Sequence, residues 1–470
     1  MLFNSLIFII FLPLVFIGYW LMPPKFRKFF LLLASYYFYY SYNPVFLLLL
    51  IGTSGFDFWC ARKINALPSR KVLFLSLSLI SNLGILAAFK YSAFLYNTFY
   101  GTFQMVTNNG FNPIEAFIVP AGLSFYTFQS ISYTIDVYRG KYKADDSLYD
   151  FLLYVSFFPH MVAGPIVRYG SLMPQLKVIS YFRNIDWQAF ATLVTWGYFK
   201  KLVIADNLNL IVTPIFKNVS GFNGIELLIA GFLFVIQVYC DFSGYSDIAT
   251  GISKLFNINL SINWRRPLLS SSLREFWTRN HISITTWFRD CLYIGLGGNR
   301  VSYKRWLLNI FLVFLISGLW HGANFTFVVW GGLHGFAYIT EILLRKKFPA
   351  LRIPKALGWV YLISFHTLSL IAFRANNTGD LWYIYSSIFT FKADYFSIEH
   401  LHGLQDTFFY IIMLLVCCIL FMKELNEEFA CSDIHKKNYA YARPLIYICF
   451  LLMIFILGNF SANTFIYFQF

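Results

Sequence analysis

The sequence predicts an all-α protein, a multi-pass transmembrane helical bundle of about twelve spans with additional re-entrant or interfacial helices. Three observations lead there. The 470 residues are 58% hydrophobic, 21% aromatic and only 13% charged, which leaves too few polar groups to cover a soluble surface. Apolar runs of about 17–25 residues recur from end to end, the length of a membrane-crossing helix, whereas barrel strands would show shorter alternating segments. Finally, clusters of Lys and Arg fall in short loops on alternate turns of the chain, the cytoplasmic-side bias of membrane proteins. The longest polar outside stretch, about 375–406, is too short for a soluble domain, so 1–470 reads as one integral-membrane unit. Within it stand N-terminal helices (1–143), a core (150–345) and C-terminal helices (357–470).

Taken in order, spans are expected over about 2–22, 24–42 and 44–61, with Lys25, Arg27 and Lys28 and then Arg62, Lys63, Arg70 and Lys71 on the cytoplasmic side. The first has no basic residue before it and no cleavage-like small residues, so it reads as a retained span rather than a signal peptide. Spans near 72–92 and 113–136 follow. Residues 150–170 are apolar but broken by Pro159, His160, Gly164 and Pro165, which suits a re-entrant or interfacial helix buried against protein. Spans near 188–213 and 224–242 precede a region from Asp247 to Arg305 without a long apolar run. Five more are expected near 306–320, 323–344, 357–373, 407–423 and 444–466, placing both termini outside.

The net charge of +15 is spread over these loops, which points to anionic lipid or an anionic cosubstrate and away from nucleic acid. The seven cysteines have no ligand-like spacing and read as small packing residues. No metal is expected. No internal repeat or pair of matching broken helices marks an inverted-repeat transporter.

Chemistry is expected first at Trp320-His321-Gly322. An ionisable residue inside an apolar run is expensive in lipid and persists where it meets a cavity or partner. Counted from Trp306, the preceding apolar helix is only about fifteen residues, or 22 Å, which places His321 within the bilayer. There it reads as a general base, against the plainer reading of a packed helix-end histidine. Trp320, Asn324 and His334 read as supporting residues. His334 is thirteen residues further on, with no nearby carboxylate to complete a zinc site.

Residues 265–305 carry eight basic and two acidic side chains. Arg274, Trp277, Asn280 or His281, and Trp287 or Phe288 are spaced to give an amphipathic interfacial helix, with the arginines receiving the phosphates of a cytosolic cosubstrate and His281 directed toward His321. The plainer reading is a basic helix on anionic lipid. Asp241, Ser243 and Asp247 close an apolar run and read as a structural polar network with Arg265, Arg266 or Arg274.

Trp320-His321-Gly322, Arg274-Glu-Phe-Trp277 with His281-Ile-Ser283 and Trp287-Phe-Arg-Asp290, Gly297-Gly-Asn-Arg300, Asp241-Phe-Ser-Gly-Tyr-Ser-Asp247 and Phe465–Phe470 together resemble the membrane-bound O-acyltransferase (MBOAT) family. The subgroup most similar is the bacterial alginate O-acetylation protein I type, which includes the D-alanyl transfer proteins of teichoic acid. Gly122–Gln129, Asp136–Arg139 and Phe157–Pro165 extend the likeness over nearly the whole chain.

The resemblance implies a helical MBOAT-type fold in which a cytosolic thioester meets an acceptor from the outer face, with His321 and His281 as its catalytic histidines. Asn280 departs from the family pattern, where Trp is more usual. Arg274, Trp277, Arg279, Arg289, Asn299 and Arg300 become candidates for donor binding. The expected activity is O-acyl transfer, acetyl from acetyl-CoA in the first instance, onto a polysaccharide such as alginate or through an extracytoplasmic acetyltransferase partner. No bound cofactor is expected, and the expected location is the bacterial inner membrane. Alternatives are a polytopic exporter, an acyl relay or scaffold for a separate acetyltransferase, or a lipid-linked glycosyltransferase using Asp380 or Asp394.

Overall fold

The computed structural model describes residues 1–107, 113–115, 117–162, 164–350, 353–390, 405–429 and 433–461. Ala163, Asp394, Cys431 and the Phe465–Phe470 motif lie outside these. Among the described residues there are no strands. Among the described residues seven helices are long and apolar enough to cross a membrane, and Leu6–Leu21 and Pro444–Leu457 are shorter apolar helices. The chain clusters into two compact units, residues 1–190 with 249–261, and 191–248 with 262–470.

The first unit contains α1 (Leu6–Leu21), α2 (Pro24–Tyr40), α3 (Pro44–Ala66), α4 (Lys71–Thr107), α5 (Leu123–Tyr138), α6 (Leu148–Ser156), α7 (Phe158–Met161) and α8 (Tyr169–Lys177). Two expected boundaries move. The span placed at 72–92 continues to Thr107, and the one placed at 113–136 begins only at Leu123. The 16-residue α5 is buried along almost its whole length and carries Ser124, Thr127, Gln129, Ser130, Ser132 and Thr134, so it is an internal helix whose hydroxyls face protein rather than lipid.

The Pro159 segment is buried as expected, and it is broken into α6 and α7 because proline cannot donate within a helix. His160 Nε2 donates to Gln129 Oε1 at 3.0 Å, and Gln129 Nε2 donates to the Tyr154 carbonyl at 2.6 Å. Gly122 is left-handed at φ 72°, and a Cβ there would stand 2.6 Å from the Met161 carbonyl oxygen. Between α3 and α4 the buried Asp57 accepts from Ser78 Oγ at 2.6 Å and Asn82 Nδ2 at 2.8 Å, which satisfies a carboxylate that would be prohibitive unpaired.

The second unit is built on α9 (Trp187–Tyr198), a π-helical turn (Phe199–Ala205), α10 (Asp206–Lys217), α11 (Gly224–Lys254), α12 (Leu273–Arg279), α13 (Ile282–Trp287), a second π-helical stretch (Phe288–Tyr293), α14 (Tyr303–His321), α15 (Phe325–Lys347), α16 (Lys355–Arg374), α17 (Thr378–Phe389), α18 (Thr407–Phe429) and α19 (Asp433–Leu457). The unit boundaries fall inside α9 and α11. Helix α11 continues past Asp247 to Lys254, because Ser246 to Ser253 keep a buried face after the apolar run ends.

Among the described residues, helices α14 and α15 share the most extensive helix–helix contact. Gly331 permits the approach, since a Cβ there would lie 2.5 Å from the Phe314 carbonyl oxygen and 3.1 Å from Leu315 Cα. Gly331→Ala is expected to force the helices apart and cost about 1–3 kcal/mol, read as a lowered melting temperature of the purified protein. An unchanged melting temperature would refute the tight crossing.

Candidate active site

Helix α14 has 19 residues, not the fifteen or so counted from the apolar run, because its first turn includes Tyr303, Lys304 and Arg305. At 1.5 Å per residue it is about 28 Å long, close to a full hydrocarbon thickness of about 30 Å. His321 is its last residue, so the helix before it is long enough to cross the hydrocarbon and the fifteen-residue count no longer sets its depth. Its ring lies 4.8 Å from Trp320, 5.1 Å from Trp330 of α15 and 5.1 Å from Phe373 of α16, centroid to centroid. The turn beyond it is held by Asn324, whose Oδ1 accepts from the Thr326 N–H at 3.1 Å and whose Nδ2 donates to the Asn376 carbonyl at 2.7 Å. Asn324 therefore supports the site by capping α15.

Beside His321 lies a cavity of about 720 Å³, lined on α14 by Trp306, Ile310, Ser317 and His321 and on α15 by Trp330, His334, Tyr338 and Arg345. These spacings put each set on one helical face. From Trp330 to Arg345 the wall of α15 extends about 22 Å, so the cavity has two distinct ends. At one are His321, Trp330 and Phe373. At the other Glu341 pairs with Arg345 at 2.8 Å and accepts from the Leu273 N–H at 2.9 Å, which brings neighbouring Arg274 to the same end. Arg289 also lines the cavity, on the π-helical stretch whose Tyr293 hydroxyl accepts from Trp306 Nε1 at 2.8 Å.

The expected amphipathic helix at 274–288 is two short helices broken at Asn280–His281, where His281 takes a left-handed φ of 43°. The break is stabilised by Asn263, whose carbonyl accepts from Ile282 N at 2.8 Å and whose Oδ1 accepts from Ser283 N at 3.0 Å. This conformation turns His281 into the cavity wall against Trp264 at 5.3 Å and Phe242 at 6.0 Å. Burial pushes the His281 pKa down to about 3, so this imidazole is neutral near pH 7 and contributes hydrogen bonding rather than charge.

Of the remaining residues proposed from sequence, Arg274, Trp277, Arg289 and His334 line the cavity. Arg279 points elsewhere, pairing with Glu275 at 2.7 Å and Glu428 at 2.9 Å. Asn299 and Arg300 are exposed in the turn beyond the π-helical stretch and are not part of the wall. Trp320 is buried against His321 and Phe288. His366 and Phe373, not singled out from the sequence, also line the cavity. His366 carries the signal that marked His321, a titratable ring inside an apolar run.

Asp241, Ser243 and Asp247 do form a buried polar network, but its cations are lysines and not Arg265, Arg266 or Arg274. Lys201 Nζ lies 2.6 Å from Asp241 and 2.8 Å from Asp206, while Lys200 Nζ lies 2.7 Å from Asp247 and 2.9 Å from Ser243 Oγ. Gly197 and Gly244 let α9 and α11 approach closely enough for this, a Cβ on Gly197 lying 2.7 Å from the Gly244 carbonyl oxygen. Arg266 instead pairs with Glu428 at 2.8 Å and Glu427 at 3.3 Å. Among the described residues no group of three or more His, Cys, Asp or Glu is arranged to hold a metal ion.

Residues 143–378, which include every residue named at the cavity, match the model of the membrane-bound O-acyltransferase family. The probable alginate O-acetylase AlgI of Pseudomonas aeruginosa is 38% identical over 401 residues, covering 83% of this chain and 75% of that protein. The peptidoglycan O-acetyltransferase of Helicobacter pylori is 36% identical over 417 residues, 80% of this chain and 77% of its own. The teichoic acid D-alanyltransferase of Streptococcus thermophilus is 27% identical over 312 residues, 59% of this chain and 72% of its own. The chain belongs to the membrane-bound O-acyltransferase family and is an O-acyltransferase.

Proposed function

We propose that the protein moves an acetyl group from a cytosolic thioester, acetyl-CoA in the first instance, to a hydroxyl of an exported or cell-wall polysaccharide on the outer side of the bacterial inner membrane. Both termini lie outside in this reading, and an extracytoplasmic acetyltransferase partner is an acceptor of the same chemistry. The observation that carries the reading is one cavity with Arg274 and Arg345 at one end, His321 at the other, and Arg289 on its wall. Guanidinium groups suit the phosphates of a nucleotide thioester, and the aromatic walls around His321 keep water from the reacting carbonyl.

In the reaction the His321 imidazole takes the proton of the acceptor hydroxyl as its oxygen attacks the thioester carbonyl. The tetrahedral intermediate then expels the thiolate, which receives that proton from His321, so the products are an O-ester and a free thiol. His281 serves as a neutral hydrogen-bonding residue of the same cavity. Incubating purified protein with labelled acetyl-CoA and candidate polysaccharides tests this, the expected result being labelled polymer. Label reaching no polymer or partner hydroxyl would refute it.

Arg274→Ala is expected to raise the KM for acetyl-CoA by about ten- to a hundredfold, the equivalent of a charged hydrogen bond worth about 1.5–3 kcal/mol. An unchanged KM in a normally folded variant would remove Arg274 from donor binding.

A further inference from the structure

The cavity wall contains polar groups that the proton transfer does not use. His334 and His366 are only 1% and 3% exposed, line the cavity, and have ring centroids 5.4 Å apart. His366 Nδ1 is 2.8 Å from the Leu362 carbonyl. A carbonyl only accepts, so Nδ1 carries the hydrogen and the neutral ring leaves Nε2 as an acceptor. That Nε2, both nitrogens of His334, and the indole N–H groups of Trp277 and Trp330 have no hydrogen-bond partner among the described residues. Trp277 and Trp330 pack on His334 at 5.3 and 4.7 Å. A buried wall holding both an acceptor and several donors is costly unless a ligand completes it.

We propose that His334 and His366, with Trp277, form a recognition site for an amide of a pantetheine-bearing thioester donor. An amide presents one N–H and one C=O, which match the His366 Nε2 acceptor and an indole or imidazole N–H donor on the same wall. The depth also fits. His334 is one helical turn, about 6 Å, from Trp330, which abuts His321. In a pantetheine thioester the nearest amide nitrogen is separated from the sulfur by two methylenes, so a carbonyl placed at His321 puts that amide one turn back along α15, toward the arginines. The inference rests on the thioester reading above and names the part of the donor that the cavity distinguishes.

The test compares two acetyl donors on purified full-length protein, acetyl-CoA and S-ethyl thioacetate, which lacks any amide. His366→Phe keeps a ring of similar size against Phe276, whose centroid is 3.9 Å from that of His366, but removes the acceptor. It is expected to raise the KM for acetyl-CoA about tenfold and to lower the ratio of kcat/KM for acetyl-CoA to that for S-ethyl thioacetate by the same factor. His334→Phe is expected to show the same split and serves if His366→Phe does not fold. Equal losses with both donors, or no loss with either, would overturn the proposal while leaving acyl transfer intact. Wild-type protein that transferred acetyl from neither donor would overturn the thioester reading itself, and this site with it.

Discussion

His321→Ala is expected to lower the rate of acetyl transfer by about 10²- to 10⁴-fold, the usual contribution of a positioned general base, with little change in protein level. The second part of that expectation follows from position. His321 ends α14, is half-buried, and packs by ring contacts to Trp320, Trp330 and Phe373 rather than filling the centre of the core. Truncating it widens the cavity and leaves the α14–α15 crossing intact, because that crossing is formed at Gly318 and Gly331 further along the helices. Turnover of the purified variant, measured with its melting temperature, separates the outcomes. A wild-type rate would exclude His321 as the base, and loss of folding would give it a structural role.

Lys201→Met is expected to have the largest effect on stability, about 3–5 kcal/mol, enough to prevent accumulation of folded protein. Lys201 is 5% exposed and held between Asp206 and Asp241, which are 4% and 1% exposed. Methionine matches the lysine stem but leaves the two carboxylates facing each other in an apolar interior without their cation. Yield and thermal unfolding of the variant check this. A second change, Asp241→Asn in the Lys201→Met background, is expected to recover part of the loss by removing one stranded charge. If Lys201→Met alone were as stable as wild type, the network would contribute nothing to the fold.

Which residues line the cavity was partly legible in the sequence, for reasons that differ by residue. His321 stood out because a titratable ring in an apolar run has few inexpensive explanations, and Arg274 and Arg289 because short basic helices beside tryptophans suit a membrane interface and an anionic ligand. The charge partners were not legible. Asp241 and Asp247 had arginines close in sequence, yet the cations that reach them come from about forty residues upstream on a helix that reads as a plain apolar span. The close Gly197–Gly244 approach brings them together. Helix ends were obscured in the same way. Lys304 and Arg305 sit in the first turn of α14, where unpaired N–H groups can still be hydrated, so an apolar-run count stopped short of a real helix. The interior placement of α5 was hidden because its length and apolar residues mimic a lipid-facing span, while its hydroxyl-bearing face needed a protein neighbour that sequence does not reveal. His366 lay in a run that passed for an unremarked span, and its place in the cavity wall follows only from α16, which sets it beside His334.

The most direct test of a donor path from Arg274 to His321 is a structure of the protein bound to an unreactive acetyl-CoA analogue in which a methylene replaces the thioester sulfur. The nucleotide phosphates are expected at Arg274 and Arg345, the arm along α15 past His334 and His366, and the acetyl carbonyl against His321. An analogue bound in a different place, with the 720 Å³ cavity empty and the protein still active, would contradict it.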